Sequence, residues 1–290
     1  GLSIGGYPVE ARRAYEWLAD CQNSDGSWFS TYGQGRPIDK TRDANMSSYI
    51  AVGVWHYYLI TADDFFLKRM WPTVQAAVGF ALGLQSPHGE IFWAVSPAGN
   101  TDPMALLTGS SSIRMSIRCA LAIAGKIGVR KPSWEKGLAR LDNAIKTKPH
   151  RFIMTISGYS MDWFYPVLCG ALSGDQARIR IDQHLKRFVI VIAGVLCVYD
   201  QTWVTIAETS ELSLALSAMG NTVLAEIVFN WISDKKFSDG SYQAGFTYPD
   251  MTVWPEEKLT WTNAVALLAA DTIYRLTPAS RLFIHPPECA

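Results

Sequence analysis

The apolar positions along the chain recur at helical spacing and fall into two alternating kinds of segment. One kind is amphipathic with a charged face, over residues 8–22, 64–85, 132–148, 175–188 and 221–235. The other is apolar and rich in small residues nearly all round, over 44–61, 104–125, 161–172, 205–219 and 259–275. A helix apolar on every side is buried on every side, whereas one with a charged face meets solvent. Their alternation predicts helical hairpins with one helix inside and one outside, an all-α (α/α)6 toroid. A solenoid or bundle without a central cavity is the competing arrangement. Five helices of each kind are legible where a closed ring has six, so the count predicts one more hairpin before residue 1. The whole of 1–290 reads as a single toroid domain. Pro132-Ser133 and Gly174-Asp175 are start signals, and Pro72 predicts a kink inside its helix. The apolar run from Phe188 to Val198 reads as a buried strand or loop.

A repeat punctuates the helices. Trp17, Gln22 and Gly26 precede Trp28; Phe80, Gln85 and Gly89 precede Phe92-Trp93; Trp231, Lys236 and Gly240 precede Tyr242. The aromatic sits near a helix end, and the Gln amide can tie off carbonyls that the last turn leaves unpaired. Glycine after Asp25 or Asp239 supplies the left-handed turn.

Composition narrows the function. The chain carries 26 Lys+Arg against 26 Asp+Glu, so it lacks the basic excess that holds a protein to nucleic acid. With 49% hydrophobic and 18% charged residues it is no disordered chain. No apolar stretch reaches the roughly 18 residues of a membrane span, so membrane contact is at most peripheral. Cys21, Cys119, Cys169, Cys197 and Cys289 are scattered and never form CxxC, which suits a reducing, cytoplasmic setting and gives no zinc site. Eleven Trp, 12 Tyr and 12 Phe exceed what a core of this size needs, so some are expected to line a cavity.

The run Arg13 to Trp28, containing Trp17, Gln22, Asp25-Gly26 and Trp28, resembles the QW motif of squalene–hopene cyclases and related terpenoid cyclases. The other two copies and Trp261-Thr262-Asn263-Ala264 resemble it more weakly. The chain is also similar to bacterial proteins labelled prenyltransferase. The resemblance implies an α/α toroid and an isoprenoid or similar apolar substrate. The DxDD acid of the cyclases is absent, and no Asp, Cys and His match the zinc pattern of protein prenyltransferases. Asp63-Asp64 is the nearest acidic pair and reads as a helix cap. A second resemblance, of Ala62 to Pro72 with Arg42-Asp43, is to glucoamylase-type glycosidases, which also use an α/α toroid.

In such a ring the inner helices run parallel and their N-termini share one mouth. Asp43 and Asp102 precede the first two, Asp162 opens the third with Trp163, Phe164 and Tyr165, Glu208 lies in the fourth after Trp203, and Glu257 precedes the fifth beside Trp254 and Trp261. Each acid alone also suits the helix dipole, at about 0.3–1 kcal/mol. Together with aromatics at the same end they outline a site. The catalytic candidates are Asp162, Glu208 and Asp43; the substrate-binding candidates are Trp163, Tyr165, Trp203, Trp261, Trp93, Tyr242, Trp254 and Arg114. Arg114 and Arg118 share a face, and either Asp162 or Glu208 is a candidate partner, or a ligand anion. His56 reads as a core or cavity histidine, and Ser110-Ser111-Ser112 lacks a nucleophile-elbow context. No metal or cofactor is implied. The leading expectation is a terpenoid cyclase- or prenyltransferase-like enzyme using acid catalysis on a small apolar substrate. The alternatives are a glycoside hydrolase or lyase with a carboxylate pair, and a toroid that only binds lipid or glycan.

Overall fold

The structure, a computed structural model, describes residues 1–285; Cys289 lies outside them. Its chain contacts divide into two compact units, Pro8–Met154 and Gly1–Tyr7 with the chain from Thr155 onward. Both are built mainly of helical hairpins.

The first unit contains α1 (Pro8–Asp20), the hairpin β1 (Thr31–Gly33) and β2 (Arg36–Asp39), β3 (Arg42–Asp43), α2 (Ala44–Ser48), α3 (Ile50–Thr61), α4 (Asp64–Gly83), β4 (Ala94–Val95), β5 (Thr101–Asp102), α5 (Leu107–Lys126) and α6 (Pro132–Thr147). The segment expected as one helix over 44–61 is α2 and α3, joined by a turn at Tyr49. Asp63 caps α4 by accepting the Phe66 N–H at 2.9 Å and also pairs with Arg12. α4 runs on through Pro72 as helix. Buried α5 carries Ser111 and Ser116 because each hydroxyl turns back to a carbonyl four residues earlier, so neither needs water.

The second unit contains α7 (Ser160–Leu168), α8 (Gly174–Phe188), β6 (Val189–Ile190), β7 (Gly194–Leu196), β8 (Trp203–Thr205), α9 (Ile206–Ala218), α10 (Thr222–Asn230), β9 (Gly245–Thr247) and α11 (Thr260–Tyr274). The strands form one antiparallel sheet in the order β6-β7-β8-β9, so the apolar run after Phe188 is a hairpin. All thirteen residues of α9 are buried. Thr209, Ser210 and Ser213 make this possible by bonding to the carbonyls of Thr205, Ile206 and Thr209. α9 packs against α7, α10 and α11.

The repeated turn is a hairpin lock. Gln22 Nε2 donates to the carbonyl of Gly26 at 2.9 Å and to that of Thr73 in α4 at 3.0 Å. Gln85 does the same with Gly89 and with Gly137 in α6, at 2.9 Å each. Trp28 Nε1 completes the first copy by donating to Leu18 O at 2.8 Å. In the third copy Lys236 lies over the Tyr242 ring, 4.8 Å from its centre, and no neighbouring chain closes on Gly240. Among the described residues no helix is long and apolar enough to cross a membrane.

Candidate active site

In the first unit, a three-stranded sheet gathers the acids that precede α2 and α5. Asp43 pairs with Ala94, and Ala94 with Asp102, while the Trp93 carbonyl accepts the Ala44 N–H at 2.8 Å. Asp43 is the N-cap of α2, accepting the Met46 N–H at 2.8 Å. It lines a cavity of about 100 Å³ with Asn45, Trp93, Thr108 and Ser110. Asn45 Oδ1, Trp93 Nε1 and Ser110 Oγ are buried there with no hydrogen-bond partner. An unmet buried polar atom costs about 1–3 kcal/mol, so three beside one carboxyl mark a place for a polar ligand or water. Burial raises the Asp43 pKa, opposed by the N–H groups of Met46 and Asn45. Asp102 accepts the Met104 N–H at 3.1 Å and shapes its own turn. One helical turn from Asp43, Met46 also borders a more open cavity of about 430 Å³ whose walls include Trp17, Trp28, Tyr32 and Tyr49.

In the second unit, α9 carries two buried carboxyls on one face, three residues apart. Tyr165 OH donates to Glu211 Oε1 at 2.6 Å, and the Cys197 thiol is hydrogen-bonded to Glu208. Burial, reinforced by Glu208, pushes Glu211 up to about 8, against the Tyr165 bond. Burial and then Glu208 push the Cys197 thiol up to about 12. Glu211 therefore holds its proton at neutral pH, while the unfolded chain has lost it. The native state binds the extra proton between about pH 4.5 and 8, so this group's stabilisation falls as pH rises through that window. Glu211→Gln is expected to flatten that part of a melting-temperature-versus-pH curve and to raise the melting temperature at pH 8.

The remaining expected residues separate into core and surface. Asp162 is buried at the start of α7, where the Arg180 guanidinium donates to the carbonyls of Asp162 and Trp163 at 2.7 and 2.8 Å. Burial lowers the Arg180 pKa and the Asp162 charge partly restores it. Asp162 thus has a cationic neighbour. Trp163, only 2% exposed, stacks on Phe188 with ring centres 5.3 Å apart and is a core residue. Buried Arg114 pairs with Asp142 of α6, the partner that the sequence reading sought in Asp162 or Glu208. Trp254 and Trp261 are 57% and 50% exposed, and Trp203 Nε1 donates to Trp254 O at 2.7 Å. Tyr242 is half-buried, its N–H bonded to Asn263 Oδ1. Glu257 lies in the exposed segment between Trp254 and Trp261. Burial lowers the His56 pKa to about 4, so it is neutral at pH 7, and its Nε2 has no partner. Among the described residues no three His, Cys, Asp or Glu side chains are grouped to hold a metal.

The sequence reading missed Asn45, Cys197 and Glu211. Glu211 had the same signal as Glu208, a charge on an otherwise uncharged helix. Asn45 and Cys197 had none, because tertiary pairing alone brings them to an acid.

The helical hairpins describe an all-α fold, and comparison with solved structures agrees. A GH63 mannosylglycerate hydrolase from Thermus thermophilus superposes with a TM-score of 0.66 at 13% identity, covering 92% of this chain and 90% of that one. A D-mannose isomerase gives 0.70 at 11%, covering 94% and 80%. The fold is thus the all-α toroid of helical hairpins that the alternation predicted. No family model matches the chain. Its sequence is 45% identical over 282 residues to the MMP endo-(1,4)-3-O-methyl-alpha-D-mannosidase of Mycolicibacterium hassiacum, covering 97% of this chain and 78% of the relative. The chain belongs to the family of that mannosidase and is a glycoside hydrolase-like enzyme. This overturns the terpenoid cyclase and prenyltransferase reading, with its isoprenoid substrate. The QW-like repeat reports a lock between hairpins, which serves the fold whatever chemistry the fold carries.

Proposed function

We propose that the chain hydrolyses an internal α-(1,4) linkage of a mannose-type glycan carrying 3-O-methyl groups, with Asp43 as general acid. The relationship to the Mycolicibacterium hassiacum mannosidase carries this reading. The acid has to be protonated while touching the leaving oxygen. Asp43 suits that role, since burial raises its pKa and it faces a cavity with unmet polar atoms. Hydrolysis of a 3-O-methylmannose oligosaccharide, read by the appearance of new reducing ends, tests the reading; a folded wild-type chain that releases none overturns it.

A further inference from the structure

Besides Ser217 Oγ near its C-terminal end, α9 and the Thr205 that precedes it carry three buried oxygens with no partner among the described residues: Thr205 Oγ1, Glu208 Oε2 and Glu211 Oε2. Their residues are 2%, 5% and 8% exposed. Successive members lie three residues apart, so they form one inclined stripe on the helix. Other hydroxyls of this helix, those of Thr209, Ser210 and Ser213, are turned back onto its own carbonyls. Thr205 precedes the helix without capping it through its side chain. Tyr165 and Cys197 each engage one carboxyl of the stripe and leave an oxygen over.

We infer that Thr205, Glu208 and Glu211 form a binding strip for the hydroxyl groups of a pyranose ring. The free oxygens belong to two carboxyls and a hydroxyl, groups that match a neutral ligand rich in hydroxyls. The described residues hold no third acid grouped for a cation. The strip has indole neighbours. Trp203 stands two residues before Thr205 on β8, on the same face of the sheet. Its ring lies edge-on to exposed Trp254 at 5.3 Å, offering an apolar face beside the hydroxyl acceptors. This division of labour, indole for the ring face and buried oxygens for the hydroxyls, is how polar sites fix orientation. The inference rests on the glycan reading above and assigns these three residues to binding.

The test is calorimetric titration of the whole chain with methyl α-D-mannopyranoside, its 3-O-methyl derivative and methyl α-D-glucopyranoside. Thr205→Val is the cleanest variant, because it keeps the side-chain shape and removes a hydroxyl that holds no other part of the fold. It is expected to weaken binding about five- to ten-fold with an unchanged melting temperature. Glu208→Gln is expected to weaken it roughly ten-fold or more. Wild-type affinity in both variants, or no binding of any pyranoside by the wild type, overturns the strip and leaves those oxygens to interior water. The hydrolase reading is scored separately by Asp43→Asn. If pyranoside binding responds to Thr205→Val while no glycan is hydrolysed, the strip stands and the hydrolase assignment falls.

Discussion

Asp43→Asn is expected to lower kcat on a 3-O-methylmannose oligosaccharide by on the order of 10²–10⁴-fold while leaving the protein folded. The two halves of that expectation have separate causes. Asn and Asp are equivalent N-caps, so the bond from the Met46 N–H survives and α2 keeps its start. What is lost is a proton that the carboxyl can give to the leaving oxygen. The wild-type rate should also fall on the alkaline side at a pH above the ordinary carboxyl range, because burial raises the Asp43 pKa and the acid form is the active one. The residual rate of the variant should lack that limb. A melting temperature near wild type, unchanged binding of methyl α-D-mannopyranoside and an undiminished kcat would together remove Asp43 from the chemistry.

The helices were legible because their periodicity and their ends are written locally. The segments expected over 132–148, 205–219 and 259–275 are α6, α9 and α11 to within a residue or so at each end. Pro132 opens the first, and the others stand out as apolar and small-residue-rich nearly all round. The short strands were not legible, since β3, β4 and β5 have two residues each and exist only by pairing with one another. That pairing places Trp93 and Asp102 beside Asp43, so the first acid cluster was visible as a list of junction residues and not as a sheet. Sequence also could not separate Trp163 from Trp254. Both sit among other large side chains, yet one is stacked on Phe188 in the core and the other faces solvent. The chemistry was misread for a related reason. Gln22 and Gly26 are selected by backbone carbonyls of the neighbouring hairpin, and any toroid of stacked hairpins presents such carbonyls.

If the repeat is a lock, its three glycines should differ sharply in what an added methyl group costs. Gly26, Gly89 and Gly240 all have left-handed φ, +91°, +111° and +87°, so alanine at each bears a conformational cost of about 1–2 kcal/mol. At Gly26 and Gly89 a Cβ would also fall under 3.0 Å from the carbonyl oxygens of Ala76 in α4 and Arg140 in α6. Those oxygens belong to rigid helices and cannot swing aside as a side chain could, so the hairpins have to part, at a further cost of about 1–3 kcal/mol. Gly240 has nothing within 4 Å of the same position. Gly26→Ala is therefore expected to destabilise by about 2–5 kcal/mol and Gly240→Ala by about 1–2, against a total stability of roughly 5–15 kcal/mol. Urea unfolding reads the difference as a shift of midpoint at constant slope. Equal losses at the two positions would mean that the first copy of the repeat bends the chain without fastening one hairpin to the next. Unequal losses would tie the motif to packing between outer helices, where a shared sequence signature carries no information about the substrate.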